Sequence, residues 1–237
     1  MLPEDYVWEK EGLLNRAAGG VLYAVTAVAA FIYCRIILRI RIKGMEKLRR
    51  HKGQGYFVFG NHTQEVSDAL LPVLVCAPKH IYTIVSPANL GIPLLGRLLP
   101  YIGALPVPSR LHDMKALNAA VLNKISRGGA VIIYPEAHLW PYCTMIRPFE
   151  RGCFKYPVVS GVPSFTLTTT YQKRKKGGKP RMTVFVDGPF YPDREDTTDS
   201  IASVRKETES LSRKVRNAML SHKDDNTDNY ITYIKTC

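Results

Sequence analysis

Tyr56-Phe57-Val58-Phe59-Gly60-Asn61-His62-Thr63-Gln64-Glu65-Val66-Ser67-Asp68 is the stretch whose reading decides the fold. Four apolar residues closed by a glycine form a short buried strand. A helix is expected from Asp68 to Cys76. Strand, histidine-bearing loop and helix make one unit of an α/β fold, where ligands bind in the loops at the carboxyl ends of parallel strands. An imidazole titrates near neutral pH and can take a proton from a hydroxyl. A carboxylate on its other nitrogen fixes the tautomer and stabilises the imidazolium. Were residues 62–68 a single helix, the side chains of His62 and Asp68 would diverge by about 240°. The pair therefore works only if the residues between them loop. On these residues alone a plainer reading stays open, in which Ser67 or Asp68 caps the helix beside an unrelated loop histidine.

Strand and helix signals continue to alternate outward from this stretch. Ile81 to Val85 reads as a strand. Met114 to Ser126 reads as a helix, with Leu117, Val121 and Ile125 at helical spacing and Gly128-Gly129 as its stop. Ala130 to Tyr134 is a second buried strand, followed at once by Pro135-Glu136. Pro163 to Tyr171 and Met182 to Val186 form a hairpin whose tip, from Lys173 to Lys179, is strongly basic. Ser200 to Leu220 is an amphipathic helix, with Ile201, Val204, Thr208, Leu211, Val215 and Ala218 on its apolar face. The expected class is α/β: a mostly parallel sheet with one antiparallel hairpin and flanking helices. Three regions follow: an N-terminal anchor and basic flank over 1–52, the main domain over 53–220, and a loose polar tail over 221–237.

The chain has 237 residues, of which 46% are hydrophobic and 22% charged. That suffices for a full domain core and excludes disordered and collagen-like classes. Lys and Arg number 33 against 20 Asp and Glu, a net charge of +13. The surplus points to an anionic partner: nucleic acid, an anionic membrane or a phosphorylated substrate. Five cysteines without a Cys-x-x-Cys pair argue against a disulfide framework or a zinc ribbon.

Ala17 to Cys34 is a run of 18 uncharged residues. As a helix it spans about 27 Å, just short of the roughly 30 Å hydrocarbon core. A spanning helix, an interfacial anchor and a buried core helix all remain open. The acidic residues Glu4, Asp5, Glu9 and Glu11 ahead of it argue against a signal peptide, and Tyr6 and Trp8 are aromatics of the kind found at membrane interfaces. From Arg35 to Lys52 eight cations face only Glu46. By the positive-inside rule the body then lies at the cytoplasmic face of a cell membrane. The same cations attract anionic headgroups, by about 1 kcal/mol each close to the surface.

Four passages in order carry a resemblance. They are Asn61-His62 with Asp68, then Gly103-Ala104-Leu105-Pro106-Val107-Pro108-Ser109-Arg110, then Pro135-Glu136-Ala137-His138, then Val162-Pro163. Together they resemble the bacterial glycerolipid acyltransferases, membrane enzymes that acylate lysophosphatidic acid and its relatives. The family pattern has an Asn-His-x4-Asp block, a Gly-Ala-x-x-Val block ending in Arg, a Pro-Glu-Gly-Thr block and a Val-Pro block. The likeness covers about residues 55 to 190.

The resemblance implies an O-acyltransferase of the glycerol-3-phosphate acyltransferase-like fold. The acceptor hydroxyl, that of 1-acylglycerol-3-phosphate first, attacks the thioester of acyl-CoA or acyl carrier protein. No acyl-enzyme, cofactor or metal is implied. It implies that His62 is the general base and Asp68 its orienting partner, with Asn61 and Gly60 in the same block. Glu136 falls near the acceptor, and Arg110 matches the phosphate-binding arginine. His138 and Arg147 are the candidates to replace a second arginine, because Leu139 and Trp140 stand where that arginine is expected. The His-to-Asp spacing is one residue longer than the family's, so the loop must bulge, and the third block lacks its Gly and Thr.

A membrane lipid-binding protein of the same fold that has lost catalysis is the alternative. A metal-dependent hydrolase using His62, Asp68, Glu136 and His138 lacks any short ligand spacing. Nucleic-acid binding is not expected, since no aromatics interleave with the charges of the basic tip.

Overall fold

The structure is a computed structural model and describes residues 2, 6–8, 13–194 and 200–228. Helix α1 (Leu13–Phe31) continues as a π-helical turn over Ile32–Ile37. Strand β1 (Arg41–Lys43) and the short helix α2 (Met45–Arg49) lead to β2 (Tyr56–Gly60) and α3 (Ser67–Cys76). Next come β3 (Ile81–Val85), α4 (Leu95–Leu98), β4 (Ala104–Pro106), α5 (Met114–Ser126) and β5 (Ala130–Ile133). The chain ends through α6 (Lys155–Ser160), β6 (Ser164–Gln172), β7 (Arg181–Phe190) and α7 (Ser200–Leu220).

The strands form one sheet in the order β1-β7-β6-β2-β5-β3-β4. All neighbours are parallel except the β6–β7 hairpin. The class expected from sequence is therefore the class observed. Side chains alternate across a strand, and the central strands are apolar on both faces because helices cover both. Tyr56, Val58, Ala130 and Ile132 pack with Phe165, Leu167 and residues of α1 and α3. Phe57, Phe59, Val131 and Ile133 pack on the other face with Leu117, Val121 and Ile125 of α5 and Leu211, Val215 and Met219 of α7.

Several boundaries differ from the sequence reading, for identifiable reasons. Strands β1 and β4 were not expected. They are the two edges of the sheet, three residues each. Their Arg41, Lys43 and Pro106 are the charges and proline by which edges avoid further pairing. The sheet thus begins inside the stretch read as basic flank. Helix α7 buries Thr208, Leu211, Val215 and Met219, with Met219 rather than Ala218 in the core. Ile201, read as part of the apolar face, is exposed. Residues 221–228 are folded back on the sheet rather than loose: Thr227 N donates to Tyr171 O at 2.9 Å and Tyr171 N donates to Asn226 Oδ1 at 2.8 Å. The remainder of the polar tail lies outside the described residues.

Helix α1 with its π-helical turn supplies an apolar helix over Ala17–Ile37, long enough to cross a membrane, with only 11% of its apolar window buried. It is nevertheless docked on the body. Tyr23 Oη donates to Lys79 O at 3.2 Å and accepts from Ile81 N at 3.0 Å. Its ring stacks on His80 with centroids 3.8 Å apart, and Ala30 and Cys34 enter the core. Trp8 donates to Pro106 O at 2.9 Å. The outward stripe Val21, Val25, Val28, Ile32 and Ile36 is exposed.

Candidate active site

The site forms where β2 and β5 end side by side. At the tip of β2 the residue must be small: a Cβ on Gly60 would stand 2.6 Å from Tyr134 Cε1. Asn61 follows, and its carboxamide acts like a further peptide of the strand. Its Nδ2 donates to Thr169 O at 3.0 Å, and Thr169 N donates to its Oδ1 at 2.8 Å. This clip extends the β2–β6 pairing beyond the strand and aims the next residue, His62.

Residues 62–66 are not helical. They wrap around one carboxylate oxygen. Asp68 Oδ2 accepts from Thr63 N at 2.8 Å and Gln64 N at 2.9 Å, and His62 Nδ1 lies 2.9 Å from it. The extra residue of the spacing is taken up in this turn, and the His–Asp contact closes. A carboxylate is acceptor-only, so Nδ1 is the protonated nitrogen and Nε2 carries the free lone pair. Asp68 is buried in the first turn of α3, while the His62 side chain keeps 24% of its surface exposed. The His62 ring lies on Tyr134, centroids 4.6 Å apart at 25°. Tyr134 donates its hydroxyl to Asp68 O, and burial raises its phenol well above the ordinary value. The imidazole is therefore fixed edge-on by Asp68 and face-on by Tyr134.

A second cluster supports the loop from the β5 side. Glu136 is 5% exposed and Arg147 8% exposed. Arg147 donates to Glu136 through N at 3.0 Å, Nε at 3.1 Å and Nη2 at 2.7 Å. His62 N donates to the same carboxylate at 3.2 Å. Burial pushes the Glu136 carboxyl up, and the Arg147 charge pulls it back down. Arg147 Nη2 also donates to His138 O and, at 3.4 Å, to His62 O. Its guanidinium stands 4.8 Å over the Trp140 ring. Trp140 N and Tyr142 N donate to His62 O and Thr63 O at 3.1 and 3.0 Å. The segment after β5 is thus laced to the histidine loop along its backbone.

The structure brings Asn61, His62, Asp68, Glu136 and Arg147 together. Arg147 is buried against Glu136 instead of open to a ligand. The carbonyl of His138 joins the cluster, while its side chain is exposed. Arg110 lies beyond β4, a strand three spacings from β2, roughly 14 Å across the sheet. Its side chain is exposed and its Nε donates to Asp113 Oδ2 at 3.0 Å. Sequence reasoning missed Tyr134 and also Tyr171, whose hydroxyl donates to Thr63 Oγ1 at 2.8 Å and accepts from Gln64 Nε2 at 3.1 Å. The pairing of Gly60 with a bulky residue at the end of the next parallel strand was the available signal for Tyr134. Among the described residues no group of three or more His, Cys, Asp or Glu is placed to hold a metal ion.

Residues 39–170, which contain Asn61, His62, Asp68, Tyr134, Glu136 and Arg147, match the family model described as Acyltransferase. The chain belongs to the acyltransferase family. The fold of this acyltransferase is similar to the crystal structure of the 1-acyl-sn-glycerophosphate (LPA) acyltransferase PlsC from Thermotoga maritima. The TM-score is 0.52 at 17% identity, covering 86% of this chain and 81% of that one. No curated protein matches the acyltransferase at the level of sequence.

Proposed function

We propose that this acyltransferase moves a fatty acyl group from acyl-CoA or acyl carrier protein to the hydroxyl of a lysophospholipid, 1-acylglycerol-3-phosphate first, giving phosphatidic acid. The observation that carries the reading is the His62–Asp68 contact at the carboxyl end of the central strand. His62 Nε2 takes the proton as the acceptor oxygen attacks the thioester carbonyl. The C–S bond then breaks, and the departing thiolate takes that proton back from the imidazolium. Asp68 holds the tautomer and stabilises the charged ring. Asn61, Glu136 and Arg147 set the loop that presents His62. Arg110 takes the acceptor phosphate, for which a planar guanidinium is well shaped, and His138 lies at the rim.

The domain runs over 53–220, with 1–52 as anchor and basic flank, although β1 joins the two. The protein sits at the cytoplasmic face of the cell membrane. Helix α1 is read as an interfacial rather than a spanning anchor. Its middle is bonded to Lys79 and Ile81, so a crossing helix would draw the Lys79 region of the body into hydrocarbon, where a central charge costs at least about 2.5 kcal/mol.

The test uses the purified full chain in detergent, with labelled acyl-CoA or acyl carrier protein and a panel of lysolipids. Phosphatidic acid formed from lysophosphatidic acid is the expected product. His62→Ala is expected to lose about 10² to 10⁴-fold in turnover while remaining folded. A preference for uncharged lysolipids sinks the acceptor assignment. Near-normal turnover by folded His62→Ala sinks the base assignment.

A further inference from the structure

The β6–β7 hairpin carries a feature that acyl transfer does not use. Between Lys173 and Arg181 stand Lys173, Arg174, Lys175, Lys176, Lys179 and Arg181, with no Asp or Glu among them. All six are exposed, and among the described residues no carboxylate pairs with any of them. Lys175 and Lys176 sit at the centre of the turn, which Gly177 N closes by donating to Arg174 O at 3.1 Å, and Gly177 and Gly178 bring the chain back at positive φ. Its base is held firmly. Pro180 is buried, Gln172 Nε2 donates to Thr170 Oγ1 and Asp225 O, and Thr183 Oγ1 donates to Gln172 Oε1. Lys173 N donates to Thr227 Oγ1.

The register says where this tip points. Gly60 of β2 is level with Leu167 of the parallel strand β6. Strand β6 runs on to Gln172, five residues or about 17 Å further. The tip therefore projects past the end of the sheet that carries His62. The end of the apolar helix reaches the same level, because Arg41 of β1 pairs with Thr183, itself opposite Thr170. Exposed Ile36 and Ile37 precede Arg41 by a few residues.

We propose that the β6–β7 hairpin is an electrostatic docking element for anionic lipid headgroups, and that with the exposed π-helical turn that follows α1 it turns the His62 end of the sheet toward the bilayer. Opposite charge selects the partner class. The tip offers no exposed aromatic or aliphatic side chain to serve as the buried anchor a protein interface needs. Cations on long flexible stems suit a fluid array of phosphates instead. The contact is salt-sensitive, since exposed charges are screened over about 10 Å at 0.1 M salt. The proposal rests on the membrane association put forward above but not on the chemistry of acyl transfer.

Two measurements on the full chain test it. In the first, protein held on vesicles of phosphatidylcholine, alone or with phosphatidylglycerol, is treated with a membrane-impermeant amine reagent. Labelling of Lys175, Lys176 and Lys179 is expected to slow at least about fivefold on the anionic vesicles and to recover in high salt. Exposed Lys155 on α6 should be unaffected. Equal labelling of the hairpin on both vesicles overturns the proposal. In the second, the variant K175Q/K176Q/K179Q is expected to lose on the order of a hundredfold of the preference for anionic over neutral vesicles, with turnover of detergent-dispersed substrates unchanged. An unaltered preference overturns the proposal. So does a loss of turnover confined to acyl carrier protein as donor, which would assign the patch to an acidic protein. Failure to bind either vesicle at low salt overturns membrane association itself.

Discussion

Replacing Arg147 with Met keeps much of the side-chain volume and removes the one cation buried with Glu136. The carboxylate then keeps two backbone donors, Arg147 N and His62 N, and loses the Nε and Nη2 bonds together with the opposing charge. Breaking a buried pair by removing one partner costs about 3 to 5 kcal/mol. The two remaining donors place this case at the low end, about 3 kcal/mol at pH 8. For a chain of this size that is a fall of roughly 9 °C in Tm. The pH dependence has a definite sign. Burial already holds the Glu136 carboxyl above its ordinary value of 4.5. A folded-state pKa that is raised means that its share of stability is full below the unfolded value and is lost as pH rises through the folded one. Without the guanidinium the folded value climbs further, so the deficit of Arg147→Met should be larger at pH 8 than at pH 5. Thermal unfolding in a mild detergent at both pH values measures it. Arg147→Met/Glu136→Gln, which has no buried carboxylate to strand, should recover most of the loss and show no such pH dependence. A deficit under about 1 kcal/mol at pH 8, or one that grows on acidification, would refute the reasoning.

Gly60→Ala should reduce turnover without unfolding the sheet, because its Cβ would meet the Tyr134 ring at 2.6 Å and displace the ring on which the imidazole stacks; wild-type turnover in that variant would show that the Tyr134 face of His62 does not matter. Arg110→Ala should lower kcat/KM for the phosphate-bearing acceptor more than tenfold, about 1.4 kcal/mol, and leave the acyl-donor KM nearly unchanged; unaltered acceptor kinetics would assign Arg110 to its surface pairing with Asp113 alone.

What the sequence revealed divides along physical lines. The central strands were legible because burial on both faces writes them as unbroken apolar runs, as in Tyr56 to Phe59 and Ala130 to Ile133. Edge strands β1 and β4 have no such signature, since an edge is kept short and charged or ends in proline. His62 and Asp68 could be named as a pair, but their distance depends on a turn closed by backbone amides, and backbone hydrogen bonds leave little trace in residue identity. Arg147 and Glu136 were both singled out as contacts for the acceptor. Sequence separation could not show that they bury each other, because the chain between them is an irregular loop with no period to count. Tyr134 was visible only as the last residue of a strand, and its contact with His62 depends on the parallel register of β2 and β5.

The turn around Asp68 has a consequence for redesign. Its shape is set by a carboxylate gathering main-chain N–H groups, and those groups are present whatever side chains the loop bears. Glu65 and Val66 of this turn are exposed. They form a rim whose chemistry can be rewritten while the ring beneath stays closed. Libraries confined to these two positions would alter what approaches the imidazole and leave its aim intact, so a change in acceptor preference need not begin with a loss of the scaffold.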